Sequence, residues 1–91
     1  MTITYDTKTT KELPYFKGKN VTVFYEINPR IKRHIGTYYE GKFYEGSRYM
    51  GEIDSENRCV RFHGKWLFTI DENFDESNQN DLLKILLKLL V

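Results

Sequence analysis

A single cysteine, Cys59, is all the thiol chemistry available in this chain of 91 residues. It excludes an intramolecular disulfide and any cysteine-rich zinc site, because each needs further thiolates within the chain. A reducing, cytoplasmic setting is the expectation that follows. Histidine is nearly as scarce. His34 and His63 are the only imidazoles, and the separation of Cys59 from His63 is on the order of 13 Å along an extended strand, too far for a thiolate and imidazole to act together. With no third group to orient either one, the chain reads as non-enzymatic, with no catalytic residues, no metal site and no cofactor.

Long apolar stretches are also missing. The threonine-rich opening, Met1 to Lys11, lacks the apolar core of a secretory leader. The one long apolar run, Leu82 to Val91, reaches about 15 Å as a helix at ~1.5 Å per residue, about half the thickness of a bilayer core. Neither secretion nor membrane spanning is expected. No charge of one sign dominates: 14 Lys and Arg against 13 Asp and Glu leave a net +1. That balance excludes a histone-like polycation, and an apolar content of 40% excludes a disordered tail. The distribution is less even than the total. Residues 1–70 hold 12 basic and 8 acidic residues, whereas 71–81 hold five acids and no base. Such a block reads as a solvated hinge supplying acids to the start of a helix.

Aromatic residues, by contrast, are abundant: seven Tyr, six Phe and one Trp, 15% of the chain. Their spacing is that of strands. From Asn20 to Ile27, Val21, Val23, Tyr25 and Ile27 share one parity, so that Phe24 is expected to point outward. Asn28-Pro29 signals a turn, Ile35 to Glu45 alternates again, and Gly46-Ser47 suits a hairpin leading into Arg48 to Ile53. In Cys59 to Asp71 the residues Val60, Phe62, Trp66, Phe68 and Ile70 share one parity. A single long strand, or a hairpin with His63-Gly64-Lys65 as a three-residue loop, keeps all five on one core face; a two-residue loop would split them. The first two arrangements are favoured, which makes Trp66 a core residue.

After Asn73 the period changes. Ser77, Asn78 or Asn80 can cap a helix with Asp81 in its first turn, and of the residues from Leu82 to Val91 only Lys84 and Lys88 are polar. So wide an apolar face calls for two neighbours. One is the sheet; the other is either a second copy of the chain, giving a homodimer through the Leu82 to Val91 helix, or the segment around Leu13 to Phe16. The expected architecture is therefore α+β: a small curved antiparallel sheet or partly closed barrel of roughly four to six strands with one C-terminal helix. It forms one domain over 1–91, divided into an irregular N-terminal segment 1–19, a sheet body 20–71, an acidic linker 72–81 and the helix 82–91.

Three strings recur at a spacing of 23 residues: Phe16-Lys17-Gly18-Lys19, Tyr39-Glu40-Gly41-Lys42 and Phe62-His63-Gly64-Lys65. The spacing, and Tyr39-Glu40-Gly41-Lys42-Phe43 with Gly46, resemble the hairpin unit of MORN repeats, which opens with Tyr-x-Gly and places an aromatic two residues after that glycine. The later glycines of that unit are absent, and Asn20 stands where the first copy would carry its aromatic. Glycines at 36, 41, 46 and 51 mark bends or close backbone approach that would curl the sheet. Gly36 to Lys42 also matches the opening of a P-loop. Phe43 replaces the required Ser or Thr, however, and no helix pattern follows, so nucleotide hydrolysis is excluded.

Two binding functions remain. A protein-binding module is favoured, because Tyr, Trp and Arg dominate interface hot spots. A small inhibitor or regulator of the kind carried by phages or mobile elements, acting by occluding a host or defence protein, fits this size and composition. Its expected contact residues are Arg30, Lys32, Arg33, His34, Tyr38, Lys42, Tyr44, Arg48, Tyr49, Arg61 and Lys65. The alternative is nucleic-acid binding by a sheet surface, with Arg30, Lys32, Arg33, Arg48, Arg58, Arg61 and Lys65 as a basic stripe beside Tyr38, Tyr44 and Tyr49.

Overall fold

A computed structural model describes residues 3–91. Seven strands, β1 (Thr4–Thr10), β2 (Val21–Asn28), β3 (Ile31–Tyr39), β4 (Lys42–Glu45), β5 (Arg48–Asp54), β6 (Cys59–Phe62) and β7 (Lys65–Thr69), form one antiparallel sheet in chain order. A 3₁₀ turn over Pro14–Phe16 joins β1 to β2, and helix α1 (Gln79–Leu90) ends the fold. The sheet stays open, with β1 and β7 as its edges. The architecture is the expected α+β one, in its curved-sheet form and with more strands than the pattern suggested.

The extra strand is β1, which lies inside the segment read as irregular. Its sequence, Thr-Tyr-Asp-Thr-Lys-Thr-Thr, has no apolar alternation, yet it pairs with β2 from Thr4↔Ile27 to Thr10↔Val21. β-Branched threonines suit the pleat, and a strand held by its ladder need not bury a face.

Turn chemistry explains the meander. Glu40-Gly41 joins β3 to β4 with φ of 44° and 83°, and His63-Gly64 joins β6 to β7 with φ of 49° and 83°. Two consecutive left-handed residues in a two-residue loop match the right-handed twist of the flanking strands. Lys17-Gly18, ahead of β2, repeats the conformation at 23° and 82°. The 23-residue recurrence is thus a recurring left-handed x-Gly corner.

One face of the sheet carries α1. Phe24, Ile35, Phe43, Val60 and Ile70 pack with Leu82, Ile85 and Leu86 in the buried core. Phe24, expected outside, is fully buried. Its strand is covered on both faces, since Val21 and Val23 of the opposite parity are buried as well. Gly36 lets the helix come close: a Cβ there would stand 2.6 Å from Leu86 Cδ1.

The helix begins at Gln79, three residues before the apolar run, because Asn78 Oδ1 accepts from the N–H groups of Asn80 and Asp81. Leu83, Leu87, Leu89 and Leu90 lie half-buried against the core, and only Val91 of the apolar run is exposed. The Leu13 to Phe16 segment does not cover the helix. Phe16 lies against Tyr39 and Tyr44, on the other face. The acidic linker is a series of tight turns, with Asp71 accepting from the Asn73 N–H and Asp75 from the Ser77 N–H and hydroxyl.

Candidate binding surface

The strand registers place Tyr39, Lys42, Tyr44, Tyr49, Glu52, Asp54, Arg61 and Trp66 on the sheet face away from the helix. A row of contacting aromatic rings runs from Phe16 to Phe62 and His63. Phe16 lies 5.0 Å from Tyr44, Tyr44 5.9 Å from Tyr49, and Tyr49 stacks 5.7 Å from Phe62 with His63 5.0 Å away. At the β6–β7 end the row finishes on Phe62, 37% exposed, and Trp66, 54% exposed, stands opposite Arg61 on β7.

Both residues were expected in the core. The reason lies in the hairpin. His63-Gly64 forms a two-residue loop that pairs Phe62 with Lys65 and Arg61 with Trp66, and the register shift between Val60 and Arg61 then restores Val60↔Phe68. The five apolar residues are split, as a two-residue loop requires, and a β-bulge lets Val60 and Phe68 stay inside while Trp66 turns out. The exposed signal in the sequence was His-Gly itself, a pair suited to two left-handed residues.

Arg61 and Asp54 pair laterally on this face. Arg61 Nε donates to Asp54 Oδ2 at 2.9 Å, and Arg61 also donates to the Gly64 carbonyl at 2.9 Å. Asp54 is held down to about 2 by the Asn57 side chain and backbone N–H, with Arg61 adding to the effect. Tyr49 donates to Glu52 Oε1 at 2.7 Å, and burial followed by that carboxylate pushes the phenol well above its ordinary value. Lys42 stands opposite Glu52 in the strand register and is exposed. The surface therefore offers rings bordered by the Arg61–Asp54 ion pair and by the exposed Lys42 and Lys65.

Of the residues expected to meet a partner, Lys42, Tyr44, Tyr49 and Arg61 come together here, with Lys65 at the adjoining hairpin. The others lie elsewhere. Tyr38 lies against the helix-side core, and its hydroxyl donates to Glu76; burial and then that carboxylate raise its pKa. Arg48 sits at the β4–β5 hairpin, 3.9 Å from Glu45. Arg30 is exposed in the β2–β3 turn. Lys32 pairs with Asp6 at 3.3 Å and lies over the Tyr25 ring, and Arg33 reaches Glu26 at 3.8 Å. His34 Nε2 lies 3.0 Å from the Gly36 carbonyl and 2.9 Å from Thr37 Oγ1, bracing the bulge in β3. Arg58 donates to the Asp71 and Glu72 carbonyls. The seven cations proposed as a stripe are spread over both faces and several turns. Trp66, Phe62, Tyr39 and Phe16 are the surface residues that sequence reasoning missed.

A second concavity, a cleft of about 500 Å³, lies between β7 and α1, with Phe68, Ile70, Phe74, Ile85 and Leu87 in its lining and Lys84 and Lys88 beside them. Among the described residues, no group of three or more His, Cys, Asp or Glu is placed to hold a metal. No helix among them is long and apolar enough to cross a membrane. Comparison with family models, curated proteins and solved structures finds no match to the chain.

Proposed function

We propose that this protein is a non-catalytic binding module that engages a protein partner through the helix-free face of its sheet. It acts by occlusion, as a small inhibitor or regulator. The observation that supports this reading is the exposure of Trp66 on this face, opposite Arg61 and its Asp54 partner, with a row of contacting rings from Phe16 to Phe62 on the neighbouring strands. A half-exposed tryptophan opposite an ordered arginine is the composition of an interface anchor. Occupancy by a protein suits a face whose one arginine is already paired with Asp54.

Nucleic-acid stacking on Trp66 and Tyr49 is the competing use of the same rings. It needs cations for phosphate, and on this face Arg61 is engaged by Asp54. Retention on heparin and on labelled single-stranded RNA and DNA across a salt series separates the two. Weak, salt-insensitive retention is expected, whereas steep loss of tight binding with salt would replace protein by nucleic acid as the partner. For the protein-binding reading, Trp66→Ala and Tyr44→Ala are compared with Lys84→Ala on the helix side in affinity capture from host cells. Loss of the same captured protein in the first two and its retention in the third is expected; equal capture by all three would remove this face as the site.

A further inference from the structure

The strand β1 is an open edge of seven residues with no proline and an unshifted register against β2. Edges of this kind are templates for another strand unless something blunts them. Which strand fits can be read from the order of charges. Laid antiparallel to itself about Thr7, the sequence Thr4-Tyr5-Asp6-Thr7-Lys8-Thr9-Thr10 sets Asp6 opposite the partner's Lys8 and Lys8 opposite the partner's Asp6. Threonines meet threonines at the centre and at the ends. The neighbouring registers that keep the same faces aligned are centred on Asp6 or on Lys8, and each brings two like charges together, which disfavours it.

The backbone agrees with this register. The Thr7 N–H is directed to Asp6 Oδ1 at 2.9 Å, on its own strand. It is therefore not committed to β2, and the alternation of an antiparallel ladder turns the amides and carbonyls of Tyr5, Thr7 and Thr9 outward. Centred on Thr7, these are the residues that pair: Thr7 with the partner's Thr7, and Tyr5 with the partner's Thr9. Asp6 and Lys8 then fall at the non-hydrogen-bonded sites, where opposed side chains stand closest. Asp6, which already accepts from Lys32 at 3.3 Å, would exchange the Thr7 amide for the partner's ammonium.

We infer that β1 is the interface of a two-fold homodimer in which two seven-stranded sheets join edge to edge. Light scattering after gel filtration tests it over a concentration series. The wild-type chain is expected at twice 10.9 kDa. Lys8→Asp sets acid against acid at both sites and is expected to weaken the dimer roughly tenfold or more. The exchanged pair Asp6→Lys with Lys8→Asp restores opposite charges and is expected to restore the dimer. Thr7→Pro removes an outward donor while leaving the β1–β2 ladder intact, and is expected to be monomeric with an unchanged circular dichroism spectrum. If Thr7→Pro is not folded, the charge exchange decides alone. A wild-type chain that stays monomeric overturns the inference. So does a dimer that Lys8→Asp leaves intact, which would move self-association to the helix or to β7.

Discussion

Leu86 packs directly over Gly36, leaving no room there for a side chain. Gly36 lies in β3 under a helix residue that is fully buried. An added methyl must displace Leu86 or lift the helix, so Gly36→Ala is expected to destabilise the fold by ~1–3 kcal/mol. Leu86→Ala alone should cost about 2–5 kcal/mol through the cavity it leaves. Because the second change vacates the space the first one needs, the double variant should lose less than the sum, and a double-mutant cycle from urea melts measures that coupling. Strict additivity would mean that the helix does not rest on Gly36. A second residue with a defined consequence is Asp54, held down to about 2 by Asn57 and Arg61. A carboxyl depressed in the folded state contributes stability above its unfolded pKa of ~4, and that contribution disappears as pH falls through the folded value. The Asp54 carboxyl resonance is expected to titrate near 2 in the wild type, and Asn57→Ala should move its midpoint upward. A midpoint that stays at ~4 in the wild type would show that these hydrogen bonds do not persist in solution.

The hairpins account for both what was legible in the sequence and what was not. Alternation located β2, the second half of β3 and the β4–β5 turn, but it runs Ile35 to Glu45 together across the Glu40-Gly41 corner that separates β3 from β4. It failed at β6–β7, where the apolar parity favours one long strand or a three-residue loop and the chain instead takes the two-residue His63-Gly64 loop that turns Trp66 out. A bulge reverses parity beyond itself, and no side-chain pattern announces one. The cost of the error was functional: Trp66 moved from core to surface, and the site's anchor was missed. It failed at β1 for a different reason, since an edge strand without a buried face has no hydropathic signal. Turn chemistry is the better guide, and it can be tested. Gly41 and Gly64 sit at φ of 83°, where a Cβ is strained even though open space surrounds them. Gly64→Ala and Gly41→Ala are each expected to destabilise by about 1–2 kcal/mol, and Asn is expected to be tolerated better than Ala at either position. Equal losses for Ala and Asn in thermal melts would mean that conformation at these corners is not what the glycines supply.

At the scale of the whole molecule, the fold is a slab of 39 × 34 × 21 Å in which the helix occupies one face and the two free edges lie at opposite ends. Trp66 is on β7 and the inferred self-pairing strand is β1, so six strand spacings, about 29 Å at ~4.8 Å each when followed along the sheet, lie between them. Self-association and partner binding are therefore physically separable events with one built-in reporter, because Trp66 is the only tryptophan. Its exposure predicts red-shifted emission that acrylamide quenches readily. Dilution through the dimer-to-monomer range should leave that spectrum unchanged, and Thr7→Pro should match the wild type. Engagement of a partner through the helix-free face should instead shift the emission to the blue and protect it from the quencher. An emission maximum that moves with protein concentration alone would place self-association at the β7 end, where it would cover the anchor that the partner needs. The two proposals would then compete for one surface, and a dimer would be an inactive reservoir of the binding module.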